Sequence, residues 1–110
     1  MRISIGNDIV KLDHAAAVIK NGNLERILRS TEIKRSSTEH IAGLIALKEA
    51  AVKALGMTAD DWLRIIIRHS STKPTIDILD YPEYIESLDC SISHDGEYAT
   101  AVVVVLYRDK

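Results

Sequence analysis

The sequence predicts an α+β fold with a largely antiparallel sheet, and three patterns carry that prediction. Apolar residues alternate at the amino terminus, recur at three- and four-residue intervals in the middle, and later return to alternation or continuous runs. Asp95-Gly96 separates two of the late runs, a strong short-range hairpin signal. The order is therefore strand, helices, then four strands, instead of the strict alternation that makes a parallel sheet. At 110 residues the chain suits one domain, 1–110.

Arg2-Ile3-Ser4-Ile5 reads as a short strand that Gly6 breaks, and Asp8-Ile9-Val10 continues extended. Asp13 is placed to cap a helix through Lys20, with Gly22 ending it. A short helical stretch follows over 24–28, and Ser30 or Thr31 caps a further turn through Lys34. The clearest element starts at Ser36-Ser37-Thr38-Glu39, whose spacing is that of a capping box. This helix runs to Leu55 and stops at Gly56, with Ile41, Leu44, Ile45, Val52 and Leu55 forming its buried stripe. Beyond it, 63–68 reads as a strand, 69–74 as a turn and 75–79 as a strand. Residues 81–87 fit a helical turn, and 88–94 and 97–107 are the strands that flank Asp95-Gly96.

The last strand is apolar on both sides: Tyr98, Thr100, Val102, Val104 and Leu106 share one face, and Ala99, Ala101, Val103, Val105 and Tyr107 the other. Either one subunit covers both faces or a second subunit covers one of them. With a single long helix available, association into a closed symmetric oligomer is the expectation.

Composition excludes several functions. The 14 Lys and Arg against 16 Asp and Glu give a formal charge of −2, so no global field holds a polyanion and nucleic-acid binding is not expected. A lone Cys90 forms no internal disulfide, and no Cys/His cluster has zinc-site spacing. The amino terminus does not resemble a signal peptide, and no apolar run approaches the roughly 20 residues of a membrane helix. A cytoplasmic protein away from the membrane is the expectation.

On a helical wheel Ala42, Ala46, Glu49 and Lys53 fall within roughly 60° of one another, beside the buried stripe. Taken alone, Glu49 and Lys53 read either as a surface ion pair or as a ligand site against which the alanines leave room. In the second case Glu49 holds a metal and Lys53 neutralises phosphate oxygens. Lys48 falls at the centre of the apolar stripe, where an unpaired ammonium is costly, so it must snorkel or reach an anion in a cleft. Asp8 by itself reads as a turn residue, and His94 as a structural donor. There is no Ser-His-Asp ordering and no glycine-rich phosphate loop, and Gly56-Met57-Thr58 is too short for one.

In order along the chain, Ile5-Gly6-Asn7-Asp8-Ile9-Val10, Ala46-Leu47-Lys48-Glu49-Ala50-Ala51-Val52-Lys53-Ala54-Leu55-Gly56 and Ser91-Ile92-Ser93-His94-Asp95-Gly96-Glu97-Tyr98-Ala99 resemble the 4′-phosphopantetheinyl transferase family. The likeness is to its small holo-[acyl-carrier-protein] synthase type and spans nearly the whole chain. It implies that family's fold, a small single-repeat subunit with one long helix and shorter helices on the sheet. It also implies a Mg²⁺-dependent transferase that moves 4′-phosphopantetheine from coenzyme A to a serine of an apo acyl carrier protein and releases adenosine 3′,5′-bisphosphate. A homotrimer with active sites between subunits is implied as well.

Carried over position by position, the resemblance makes Asp8 and Glu49 the Mg²⁺ ligands. Lys53 then contacts the diphosphate, with Lys48 a second lysine near it. His94 binds a phosphate group of the nucleotide, and the Lys73-Pro74 turn borders the adenine. Glu49, directly or through a water, is the candidate base for the serine proton. Carrier proteins are acidic, so Lys11, Lys20, Arg26, Arg29, Lys34 and Arg35 are candidates for a basic docking patch, the alternative being a solvated mixed-charge face. The chain departs from the family at His14, a docking position where arginine is common, at Leu44 and Ile45, where an arginine and an aromatic are common, and at Thr72, where glycine is usual. These departures leave two alternatives open: a catalytically degenerate scaffold of the same fold that binds a nucleotide or protein, and a different Mg²⁺-dependent phosphate enzyme.

Overall fold

The computed structural model describes residues 1–33, 37–69 and 73–109. The alternation at the amino terminus runs unbroken through Gly6 as one strand, β1 (Arg2–Lys11). Gly6 is not a break. It is where β1 lies against a helix backbone, since a Cβ there would stand 2.0 Å from the carbonyl oxygen of Ala50 and 2.7 Å from the amide nitrogen of Ala54.

The chain turns directly into α1 (Leu12–Lys20), whose N-cap is Lys11; Asp13 lies within the first turn, where its charge suits the helix dipole. A 3₁₀ turn (Leu24–Arg26) and the short α2 (Ser30–Ile33) follow. The long helix, α3 (Thr38–Leu55), ends at Leu55 as expected but starts one residue later, its N-cap being Ser37 and not Ser36. Ser37 caps it by accepting the His40 amide at 3.1 Å, and Gly56 ends it in the left-handed region at φ 65°. Ser36, used in the capping-box reading, and Lys34 lie outside the described residues. Ile41, Leu44, Ile45 and Leu55 are buried as the stripe requires, with Val52 half-buried.

Later boundaries move. Residues 63 and 64 belong to a 3₁₀ segment (Ala59–Arg64) in which Asp61 accepts the Thr58 amide at 2.9 Å, so β2 is Ile65–His69. It pairs with β3 (Pro74–Ile78), and His69 and Pro74 are opposed as strand ends, with residues 70–72 of the expected turn outside the described residues. The helical turn over 81–87 is absent, because Ile85 already begins β4 (Ile85–Asp95). Tyr81 is held instead by tertiary bonds, its hydroxyl donating to the Leu55 carbonyl at 2.8 Å. The hairpin to β5 (Tyr98–Tyr107) forms, but Asp95 pairs with Tyr98, so the loop residues are Gly96, at φ 58°, and Glu97.

β1, β5 and β4 make an antiparallel sheet in that order, and β2 and β3 a separate pair. α3 packs across one face of the larger sheet, where Ala99, Ala101, Val103, Val105 and Tyr107 are buried. Each fully buried leucine or isoleucine in this layer contributes about 1.5–3 kcal/mol. On the other face β1 sets Ile5 opposite Val104 and Ile3 opposite Leu106. Ile3, Ile5 and Ile9 there are 60–67% exposed, so no described part of the same chain covers that side. The doubly covered arrangement is therefore not what this subunit adopts.

Candidate active site

Gly6 and the small residues Ala50 and Ala54 bring β1 and α3 together at their backbones. Side chains two apart on a strand share a face, so Asp8 projects toward α3 as Gly6 does. One turn of α3 supplies Glu49 and Lys53 beside it. Lys53 Nζ donates to Asp8 Oδ1 at 3.1 Å and to the Asn7 carbonyl at 3.0 Å. The Lys53 side chain is 57% exposed, which leaves its ammonium accessible to an anion. Burial, then hydrogen bonding and repulsion from Asp8, push the Glu49 carboxyl up to about 7, with Lys53 opposing. Asp8 Oδ2 is buried and has no hydrogen-bond donor. Two facing carboxylates leave an oxygen in that condition unless one is protonated or a cation lies between them.

The donor set fits Mg²⁺. It is all oxygen, and no three His, Cys, Asp or Glu among the described residues form a closed metal cage. Mg²⁺ is typically held by one or two carboxylates and completes its shell with water and substrate phosphate. Asp8 and Glu49 are thus a pair able to hold a divalent ion, with Lys53 beside it for a phosphate.

The other candidate residues are spread more widely. His94 lies on the inner sheet face and its Nε2 donates to the Glu39 carbonyl at 3.0 Å, about 15 Å along α3 from Glu49. Gly43 makes room for it, since a Cβ there would stand 2.9 Å from Nε2. Lys73 pairs with Asp89 at 2.5 Å, and the Pro74 carbonyl accepts the Cys90 thiol at 3.3 Å. Lys11, His14, Lys20 and Arg26 are exposed on or near α1. Arg29 is not free for a docking patch, because its guanidinium donates to the Leu63 carbonyl; Lys34, Arg35 and Thr72 lie outside the described residues.

Lys48 requires a correction. It neither snorkels nor joins Lys53 at a phosphate site. Its fully buried ammonium lies 3.1 Å from Glu32 Oε1 and donates to the carbonyls of Trp62, at 2.8 Å, and Ile65. Burial holds its pKa down, with Glu32 opposing. Glu32 also accepts the Arg29 and Ile67 amides, each at 2.7 Å. Sequence reasoning missed Glu32, although a lysine at the centre of an apolar stripe demands an acid somewhere. Leu44 and Ile45 are fully buried, so those two departures lie in the core and not on a ligand surface.

Comparisons with known proteins agree with the fold. A family model described as the 4′-phosphopantetheinyl transferase superfamily matches residues 4–103. The holo-[acyl-carrier-protein] synthase of Finegoldia magna is 30% identical over 118 residues, which cover 99% of this chain and all of that one. That of Helicobacter pylori strain G27 is 40% identical over 114 residues, 92% of this chain and 95% of its own. The crystal structure of Helicobacter pylori holo-[acyl-carrier-protein] synthase in complex with coenzyme A matches with a TM-score of 0.80 at 36% identity, over 93% of this chain and 99% of that one. The ACPS–CoA complex of Chronobacterium ammoniagenes matches with a TM-score of 0.85 at 26% identity, over 99% and 100%. By family match, near-full-length identity and fold, the chain belongs to the 4′-phosphopantetheinyl transferase superfamily and is of its holo-[acyl-carrier-protein] synthase type.

Proposed function

We propose that this chain transfers the 4′-phosphopantetheine group of coenzyme A to a serine of an apo acyl carrier protein, with Mg²⁺ required and adenosine 3′,5′-bisphosphate released. The observation that carries the proposal is the meeting of Asp8, Glu49 and Lys53, with a buried Asp8 oxygen that lacks a donor. The names of the relatives and the coenzyme A held by two solved neighbours support it.

Asp8 and Glu49 are the residues that would hold the ion. Bound there, Mg²⁺ supplies positive charge against the diphosphate as the phosphoanhydride bond breaks. The exposed Lys53 ammonium binds and orients diphosphate oxygens through charge-assisted hydrogen bonds. Glu49, its carboxyl near neutrality, is positioned to take the serine proton as the hydroxyl oxygen attacks the β-phosphorus. His94 binds a nucleotide phosphate, Lys73 and Pro74 border the base, and Lys11, His14, Lys20 and Arg26 meet the acidic carrier.

The uncovered face of β1 and β5, with Ile3, Ile5, Ile9, Val102 and Val104, supports association into a closed oligomer, and we propose a homotrimer. No helix among the described residues is long and apolar enough to cross a membrane, and a cytoplasmic place is part of the same proposal.

The test is the mass of an apo carrier protein incubated with the chain, coenzyme A and Mg²⁺. A phosphopantetheine mass gain that disappears without Mg²⁺, and with Glu49→Ala, is expected. Coenzyme A binding that Mg²⁺ does not affect, with no mass gain on several apo carriers, would establish a degenerate scaffold instead.

A further inference from the structure

The last carbonyls of a helix have no intrahelical amide to accept, and their partners decide what the helix end is fastened to. In α3 the Val52 carbonyl is met locally, by the amides of Gly56 and Met57. The final two are met from outside the helix. The Ala54 carbonyl accepts Ser4 Oγ at 2.7 Å, and the Leu55 carbonyl accepts the Tyr81 hydroxyl at 2.8 Å. The Tyr107 hydroxyl lies 2.7 Å from that of Tyr81 and 3.2 Å from the Ala54 carbonyl. Each of these hydroxyls carries one proton. The three shortest contacts use one apiece: Ser4 donates to Ala54, Tyr107 to Tyr81, and Tyr81 to Leu55. Glu83 Oε2, at 3.3 Å, is a more distant acceptor for the Tyr81 proton. Burial, then the Tyr107 hydroxyl, hold the Tyr81 pKa above its ordinary value, so this donor persists across neutral pH.

These bonds bear on the site because of where Ser4 stands. Ser4, Gly6 and Asp8 alternate along β1 and share its inner face. Asp8 meets Lys53 on α3, Gly6 meets the Ala50 and Ala54 backbone, and Ser4 meets the Ala54 carbonyl. The glycine contact permits a close approach but is not directional, so by itself it leaves α3 free to slide along the strand. Hydrogen bonds from hydroxyl to carbonyl are directional and stop that slide. The other polar anchor of α3, Lys48, ties the helix to α2, the 59–64 segment and β2, none of which carries Asp8. Glu49 lies five residues before Ala54, about 7.5 Å along the axis, so a shift at the carbonyl end travels with the helix to its carboxylate. Mg²⁺ demands near-octahedral oxygen ligands at about 2.0–2.1 Å, and a displacement of about 1 Å is large on that scale.

We propose that Ser4, Tyr81 and Tyr107 are positioning residues for the transfer reaction: their hydroxyls fix the carbonyl end of α3 on the sheet and thereby set the spacing of Asp8 and Glu49. This deepens the function proposed above and rests on the metal pair assigned there.

The test removes single oxygens and reads the site directly. Ser4→Val and Ser4→Thr introduce side chains of the same shape that differ in the hydroxyl, so any steric effect is common to the pair. Mn²⁺ affinity is read from the paramagnetic resonance signal of the free ion. Carrier modification at saturating Mg²⁺ gives kcat and KM, on samples whose melting curves show them folded at the assay temperature. Ser4→Val and Tyr81→Phe are expected to weaken Mn²⁺ binding about fivefold and to lower kcat about tenfold. KM for the carrier, assigned to α1, is expected to stay unchanged, whereas a general loosening of the fold would raise it too. Ser4→Thr should match the natural chain. The proposal is overturned if folded Ser4→Val and Tyr81→Phe stay within about twofold of the natural chain in affinity and kcat, or if Ser4→Thr loses as much as Ser4→Val. Mn²⁺ binding keeps the two readings apart. Variants that weaken it in a chain that transfers nothing sink the transfer reaction alone; variants that leave it and an intact transfer unchanged sink the positioning role alone. A natural chain that takes up no Mn²⁺ sinks both.

Discussion

Glu49 is a carboxyl that holds its proton to about pH 7 against an ordinary value of 4.5, because it is half-buried and faces Asp8. The folded state therefore binds a proton that the unfolded chain has released across that interval. Stability without metal falls as pH rises from 4.5 through 7, and the loss persists above. Discounted for the group's partial exposure, the effect is about 1 kcal/mol. Urea denaturation should show Glu49→Gln more stable than the natural protein at pH 8 and no different at pH 4, with Mg²⁺ erasing the gap. Lys53, more than half exposed, behaves differently. Lys53→Ala should leave the melting temperature nearly unchanged yet lower kcat/KM by about 10²-fold, the scale of losing one charge-stabilising donor. At this scale the sequence exposes Glu49 and Lys53 through their helical spacing, and Asp8 only through the motif it shares with a family. It places Lys48 rightly in the buried stripe but misses its partner, because a wheel shows where a side chain starts and not that Glu32, on another element, lies beside its ammonium.

Among the elements, the contact between β1 and α3 controls the site. In Gly6→Ala the new methyl would meet the Ala50 carbonyl and the Ala54 amide, backbone atoms with no rotamer to relax into. A loss of about 3 kcal/mol or more is expected by chemical denaturation, along with loss of transfer, since Asp8 shifts away from Glu49. Alternation alone made this glycine read as a strand break, because period-two patterning does not distinguish an interruption from a close approach. Residues 81–87 were illegible for a similar reason: the hydrogen bond from Tyr81 to Leu55 depends on where α3 ends in space. Lys48→Met tests the buried network joining α2, α3 and β2. It removes the buried ammonium beside Glu32 and takes the donor from the Trp62 and Ile65 carbonyls, and a loss of about 3–5 kcal/mol in equilibrium unfolding is expected.

For the whole molecule, the two-sided apolarity of the last strand was legible as a demand for cover, and the folded subunit leaves that demand unmet on one face. Val102→Lys adds a charge in the middle of this face, on a strand whose inner side stays intact. Sedimentation should show the natural chain as an oligomer and the variant as a folded monomer; a monomeric natural chain would remove the proposed assembly. The most direct measurement of all is anomalous diffraction from crystals soaked with Mn²⁺ and coenzyme A. One peak about 2.1 Å from carboxylate oxygens of both Asp8 and Glu49 is the predicted result. A fully occupied ion elsewhere, with those two carboxylates unliganded beside bound coenzyme A, would contradict it.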